Sequence, residues 1–148
     1  MELFEVKVKY DKICENGLIK KVPEQYLVDA MSFAEAEERA TKEIAQFSSG
    51  EFEVTDIKRA KVAEVIESED AAADTWYKGR VAFIIIDEKT EKEKRAMQTM
   101  FVQSTSSDAA MASLQKFLST GMADWVVVGI TETKILDVIR YQAPEEKK

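Results

Sequence analysis

"DWVVVGITETKILDVI", residues 124–139, closely repeats "EFEVTDIKRAKVAEVI", residues 51–66. A shift of 73 positions, from 54 to 127, sets Val54 on Val127, Ile57 on Ile130, Lys61 on Lys134, Val65 on Val138 and Ile66 on Ile139. Moving back along the chain, "YLVDAMSFAEA" (26–36) falls on "MFVQSTSSDAA" (100–110), and "KVKY" (7–10) falls on "RVAF" (80–83). Three separated blocks at one near-constant offset imply an internal duplication, with halves at about 3–66 and 75–141. Two long copies do not make a solenoid. They predict a single pseudo-symmetric domain over 1–148, with an acidic connector at 67–74 and a frayed tail at 143–148.

Each half carries the same pattern. Phe4, Val6, Val8 and Tyr10 alternate with Glu5, Lys7 and Lys9, the period-two signature of a half-buried strand. Asn16-Gly17 predicts a two-residue hairpin turn of type I′. The return strand contains Pro23, which removes one ladder donor and predicts an edge, bulge or break there. Ser32 with Glu35 is a capping-box pair. Phe33, Ala36, Ala40, Ile44 and Phe47 then follow at helical spacing, and Ser48-Ser49-Gly50 stops the helix.

In the second half "WYKGRVAFIII" is a strand, "DEKTEKE" a polar turn and "RAMQTMFVQST" its return. Ser106 or Ser107 caps a helix bearing Ala110, Leu114, Phe117 and Leu118, which Gly121 ends. A final strand covers 51–66 in one half and 124–139 in the other. Its apolar phase slips at Asp56 and at Gly129, which predicts matching β-bulges. The unit is thus ββαβ used twice: an α+β fold of six strands in a mostly antiparallel sheet, with two helices packed on it.

Composition narrows the chemistry. The chain has no histidine and one cysteine, Cys14, which excludes His-based triads, an internal disulfide and a thiolate zinc cluster. Cys14 lacks an activating base, and the isolated glycines of "GLIKK" and "GITETK" form no phosphate loop. The net charge of −7 opposes indiscriminate attraction to nucleic acid or anionic membrane. No apolar run approaches the ~20 residues that span a bilayer, and "MELFEVKVKY" reads as neither signal nor transit peptide, so a cytoplasmic protein is expected.

Three patterns remain. Glu51, Glu53 and Asp124 lie where helix passes into strand, and Glu64 and Asp137 lie near strand ends, where symmetry-related carboxylates could hold a hard cation. The plainer reading is that these acids face solvent. Trp76 and Tyr77 beside Lys78 and Arg80 suggest a surface that stacks bases and holds phosphates, extended by Lys7, Lys9, Lys58 and Lys61. Against it, Trp76 could be core, and strand lysines commonly blunt sheet edges. Met97, Met100, Met111 and Met122 suit either an adaptable binding surface or core gaps.

"YLVDAMSFAEAE", "EFEVTDIKRAKVAEVI", "WYKGRV" and "ETKILDVI" together resemble an uncharacterised family of Bacteroides-type bacteria and their phages, over nearly the whole chain. The resemblance implies a small accessory protein and assigns no site residues. The expectation is a non-enzymatic interaction protein without cofactor or metal, which binds a protein partner or itself. The alternative is a single-stranded nucleic-acid-binding protein of phage-type DNA metabolism. No membrane partner is expected.

Overall fold

The computed structural model describes residues 2–46 and 51–140. In chain order the elements are β1 (Glu2–Ile13), β2 (Ile19–Ala30), α1 (Phe33–Ala45), β3 (Phe52–Ala60), β4 (Glu64–Ile66), β5 (Thr75–Ile86), β6 (Glu93–Ser104), α2 (Ser107–Leu118), β7 (Asp124–Glu132) and β8 (Ile135–Ile139). They form an α+β fold with two four-stranded, mostly antiparallel sheets, of order β3-β1-β2-β8 and β4-β6-β5-β7. Two compact units result, one from 1–60 with 135–148 and the other from 61–134.

Among the described residues eight strands replace the expected six, because neither 51–66 nor 124–139 is one strand. β3 runs along β1 until Ala60 stands opposite Leu3, at the start of its partner. No partner remains beyond, so the chain leaves the sheet. β4 then pairs in parallel with β6, placing Glu64, Val65 and Ile66 opposite Met100, Phe101 and Val102. β8 likewise leaves β7 and pairs in parallel with β2, placing Asp137, Val138 and Ile139 opposite Tyr26, Leu27 and Val28. Each sheet is therefore completed by a strand from the other half of the sequence.

The hairpin at Asn16-Gly17 forms by a different turn. Cys14 N–H donates to Leu18 C=O and Gly17 N–H to Cys14 C=O, both at 2.9 Å, which leaves a three-residue loop. Within this loop only Gly17 has positive φ, +80°. Asn16 instead accepts the Leu18 N–H on its side-chain oxygen, the geometry of a turn followed by a left-handed glycine. Pro23 sits within β2, but β8 starts pairing only at Gln25, so β2 is an edge where the donor is missing. Both bulges exist: Lys7 and Val8 face Asp56 and Val54, which leaves Thr55 over, and Arg80 and Val81 face Gly129 and Val127, which leaves Val128 over.

Ser32 caps α1 by accepting the Glu35 N–H at 3.2 Å, and Ser106 caps α2 by accepting from Ala109 at 3.1 Å. The Glu35 carboxylate reaches back to the Met31 N–H. Ala36, Ala40 and Ile44 are buried on α1, and Ala110, Leu114 and Leu118 on α2. Phe33 and Phe117 are partly exposed, Phe33 lying edge-on to Phe4 with Arg59 above its ring. Gly121 follows the Ser119 cap with ordinary φ. The expectations for Phe47 and for Ser48-Ser49-Gly50 fall outside the described residues.

Each helix covers its own sheet. The first core gathers Phe4, Val6, Val8, Tyr26 and Val28 under α1, with Ile139 packed against it. The second gathers Tyr77, Val81, Met100 and Val102 under α2, with Ile66 against it. The incoming strands thus bring an isoleucine to each core, and full burial of such a side chain contributes about 1.5–3 kcal/mol.

One pair of equivalent positions shows how the cores divide volume. Val6 faces Tyr26 in the first sheet, and Gly79 faces Met100 in the second. The matching helix residues are Ala40 and Leu114, both fully buried. A Cβ on Gly79 would approach Leu114 Cδ2 to 2.7 Å. One unit places the larger side chain on the strand, the other on the helix. Gly79→Val is expected to destabilise by about 1–3 kcal/mol through overpacking, and Leu114→Ala by about 2–5 kcal/mol. The double variant recreates the first unit's pair, so urea unfolding should show a cost below the sum of the singles by at least about 1 kcal/mol.

Candidate interaction surface

The side of each sheet turned away from its helix is read from alternation and register. In the first unit it carries Glu5, Lys7 and Lys9 on β1. Lys7 stands opposite Asp56, Lys9 opposite Glu53, and Glu5 opposite Lys58. Lys21 stands opposite Asp11. The lysines expected to extend a phosphate-binding surface are thus alternated with carboxylates, an arrangement that favours sheet pairing by a few tenths of a kcal/mol per pair, about 0.2–1. It does not build a positive field. Lys61 lies apart, exposed between β3 and β4.

The second unit's outer face differs. Trp76, Lys78, Arg80 and Ala82 share it, while Tyr77 turns to the α2 side and joins that core. Trp76 is only 2% exposed and its carbonyl accepts from both Thr133 N–H and Oγ1–H, at 2.9 and 2.8 Å. The stacking role expected of Trp76 and Tyr77 is therefore corrected: both rings are buried and can offer no face to a base. Lys78 and Arg80 are exposed. Lys78 is flanked by Phe101 and Thr131 and Arg80 by Thr99 and Gly129, with no carboxylate directly opposite either.

The next row on that face is apolar. Met97, Ala82 and Val126 stand side by side across β6, β5 and β7, with Val128 left over at the bulge. Met97 is 45%, Val126 39% and Val128 52% exposed. The positions matching Val126 and Val128 in the first unit are Glu53 and Thr55, on the corresponding edge strand. β7 thus presents an uncharged edge from Trp125 to Thr131, where β3 has Glu53, Asp56 and Lys58. Open, apolar strand edges are pairing sites, and charge is the usual guard against that. The sequence held a sign of this in three consecutive valines, 126–128, where a strand with one wet face would alternate.

A polar cluster at the far end of the first sheet has no counterpart in the second. Glu24 accepts from Tyr10 Oη–H at 2.5 Å on one carboxylate oxygen and from Tyr26 Oη–H at 2.6 Å on the other. Phe83, Gln98 and Met100 hold the matching positions. Burial, then the Glu24 hydrogen bond and charge, push the Tyr26 phenol far above its usual pKa. For Tyr10 the Glu24 hydrogen bond is the main cause of a rise. Glu24 thus joins the two phenols through one hydrogen bond on each carboxylate oxygen.

A depression of about 600 Å³ lies between α1 and β8 and is lined by Glu35, Glu38, Arg39, Lys42, Asp137 and Arg140 among others. Arg39 pairs with Glu35 and donates to the Asp29 carbonyl, and Lys42 pairs with Glu38. With Glu43, four carboxylates and three cations line it, and two of the cations stand in these ion pairs. Glu64 and Asp137 are exposed and lie in different units, opposite Met100 and Tyr26. Among the described residues no three His, Cys, Asp or Glu side chains gather as a metal-holding group. Cys14 is half-buried in the hairpin turn, where its backbone serves both hydrogen bonds. No helix among the described residues is long and apolar enough to cross a membrane.

This architecture is that of an α+β protein whose two four-stranded sheets each carry one helix. The chain belongs to the family described as "Domain of unknown function (DUF4494)", which matches residues 2–141. No curated protein and no solved structure matches it.

The tyrosine cluster gives a pH signature. An unfolded tyrosine ionises near pH 10, whereas Tyr26 in the folded chain stays protonated well beyond that. Its contribution to stability is complete below about pH 10 and is lost as pH rises toward the folded value. Urea midpoints should therefore hold up to about pH 10 and fall above it, and Tyr26→Phe should flatten that fall while costing about 1 kcal/mol at about pH 8. Phenolate absorbance should show the last-titrating tyrosine missing from Tyr26→Phe.

Proposed function

We propose that this chain is a non-enzymatic interaction module, a small accessory protein of a bacterial or phage cytoplasm, which meets a polypeptide partner through the edge and outer face of β7. The observation that carries this reading is the replacement of Glu53 and Thr55, on the guarded edge, by exposed Val126 and Val128 on the other. Main-chain groups of an edge strand supply affinity for an added strand, and apolar side chains beside it supply specificity. Lys78 and Arg80 flank the patch and favour a partner with carboxylates next to its apolar residues.

A photo-cross-linking side chain at Val128 is expected to trap a protein partner in cells of the native host, and the same group at Thr55, the matching bulge residue, is not. Val126→Lys should abolish the product. Equal labelling from both positions, or none from Val128, would sink the reading.

Nucleic-acid binding keeps one favourable observation, the two cations Lys78 and Arg80 with no carboxylate directly opposite. It requires affinity that fades steeply with salt. Labelled single strands measured by fluorescence anisotropy at low ionic strength test it. The buried rings lead us to expect no binding, and a salt-sensitive signal lost in the Lys78→Ala/Arg80→Ala double variant would reverse that ranking.

A further inference from the structure

We infer that the polypeptide taken by the β7 edge is a second copy of this chain, its own β7 laid antiparallel about a two-fold axis between Val127 and Val128. This rests on the β7 reading above and gives it a partner. That reading asks for apolar residues beside a carboxylate, and β7 is itself such a segment: Asp124 precedes Trp125-Val126-Val127-Val128. Every residue concerned lies in the second unit.

The register follows from the bulge. Asp124 and Val126 stand opposite Ile84 and Ala82, and Gly129 and Thr131 stand opposite Arg80 and Lys78. These four therefore share the outer face, although two are even-numbered and two odd. Residues directly opposite in an antiparallel pair share a face. Two copies of β7 match faces when Asp124 meets Thr131, Trp125 meets Ile130 and Val126 meets Gly129. A slide of one residue either way opposes the faces, and one of the two also sets Asp124 against Glu132.

Two features of the surface fit that register. A Cβ at Gly129 meets nothing within 4 Å, so Val126 of the second copy, 39% exposed when alone, has open space to occupy. Lys78 stands opposite Thr131 with no carboxylate directly opposite. Asp124 of the second copy takes the next position in that row, two strand spacings or roughly 10 Å from Lys78 between backbones, which the two side chains bridge. Two-fold symmetry makes each contact twice. The first unit's edge denies itself the same pairing. Its positions matching Val126 and Gly129 are Glu53 and Asp56, which would set two pairs of carboxylates against each other.

Sedimentation velocity of the purified full chain at rising concentration is expected to show monomer passing to dimer. Asp124→Lys and Lys78→Glu, both at exposed positions, should each weaken the dimer at least about tenfold, since each sets like charges together twice. Mixing the two variants restores both opposite-charge contacts, so the mixture should dimerise where neither does alone; a misfolded variant would not be rescued in this way. A dimer that survives both single variants, or that mixing fails to restore, overturns the inference. So does a chain that stays monomeric at every concentration, and a photo-cross-linking group at Val128 then separates the two claims. A different protein trapped from host cells leaves the β7 reading standing with another partner, whereas no product from Val128 removes both.

Discussion

The parallel pairing of β4 with β6 and of β8 with β2 is the contact on which both sheets depend. Each antiparallel three-strand sheet, β3-β1-β2 or β6-β5-β7, would otherwise end at β2 or β6, leaving one side of that long strand open. The added strand covers that side and delivers Ile66 or Ile139 to the core. Because each addition is made by the other half of the sequence, neither core is complete without residues from both. Cutting the chain between the halves, in the acidic connector, would separate every sheet from its fourth strand or leave them to find each other by diffusion.

That connector is better ordered than its composition suggests. Ser68 accepts from the Asp70 N–H, Asp70 from the Ala72 and Ala73 N–H groups, and the Ser68 N–H donates to Gln103 on β6. Local side-chain acceptors replace the ladder that the segment lacks. Ala73 is buried just before β5 begins. The chain thus passes from β4 to β5 through a chain of turns seated on the sheet.

Much of the fold was legible because local rules were obeyed. Alternation marked β1, Ser32 and Ser106 marked helix starts, and the slipped apolar phase located both bulges to within one residue. What alternation could not show was where a strand changes sheets. Residues 51–66 and 124–139 keep an apolar rhythm across the break, since Ile66 and Ile139 face a core just as Val54 and Val127 do. The break is set by partner length: β3 exhausts β1 at Leu3, a fact that exists only after register is known. The Asn16-Gly17 turn was misread for a similar reason, because two turn types share the dipeptide and the loop length decides between them.

The candidate surface was harder to read than the fold, and the cause is the same ambiguity of face. A lysine-rich strand looks basic until its cross-strand neighbours are known, and here Asp56, Glu53 and Glu5 answer Lys7, Lys9 and Lys58. Trp76 and Tyr77 look like a stacking pair because they are adjacent, yet adjacent strand residues point to opposite faces, and both faces bury their ring. Once register is imposed, the distinguishing property of the second sheet is the loss of charge at outer positions of β7, paired with two unopposed cations on β5. On the reading proposed above, a surface of that composition suits a polypeptide, whose backbone can extend the sheet; a polyphosphate would need a continuous positive field, which the cross-strand pairs of the first sheet cancel.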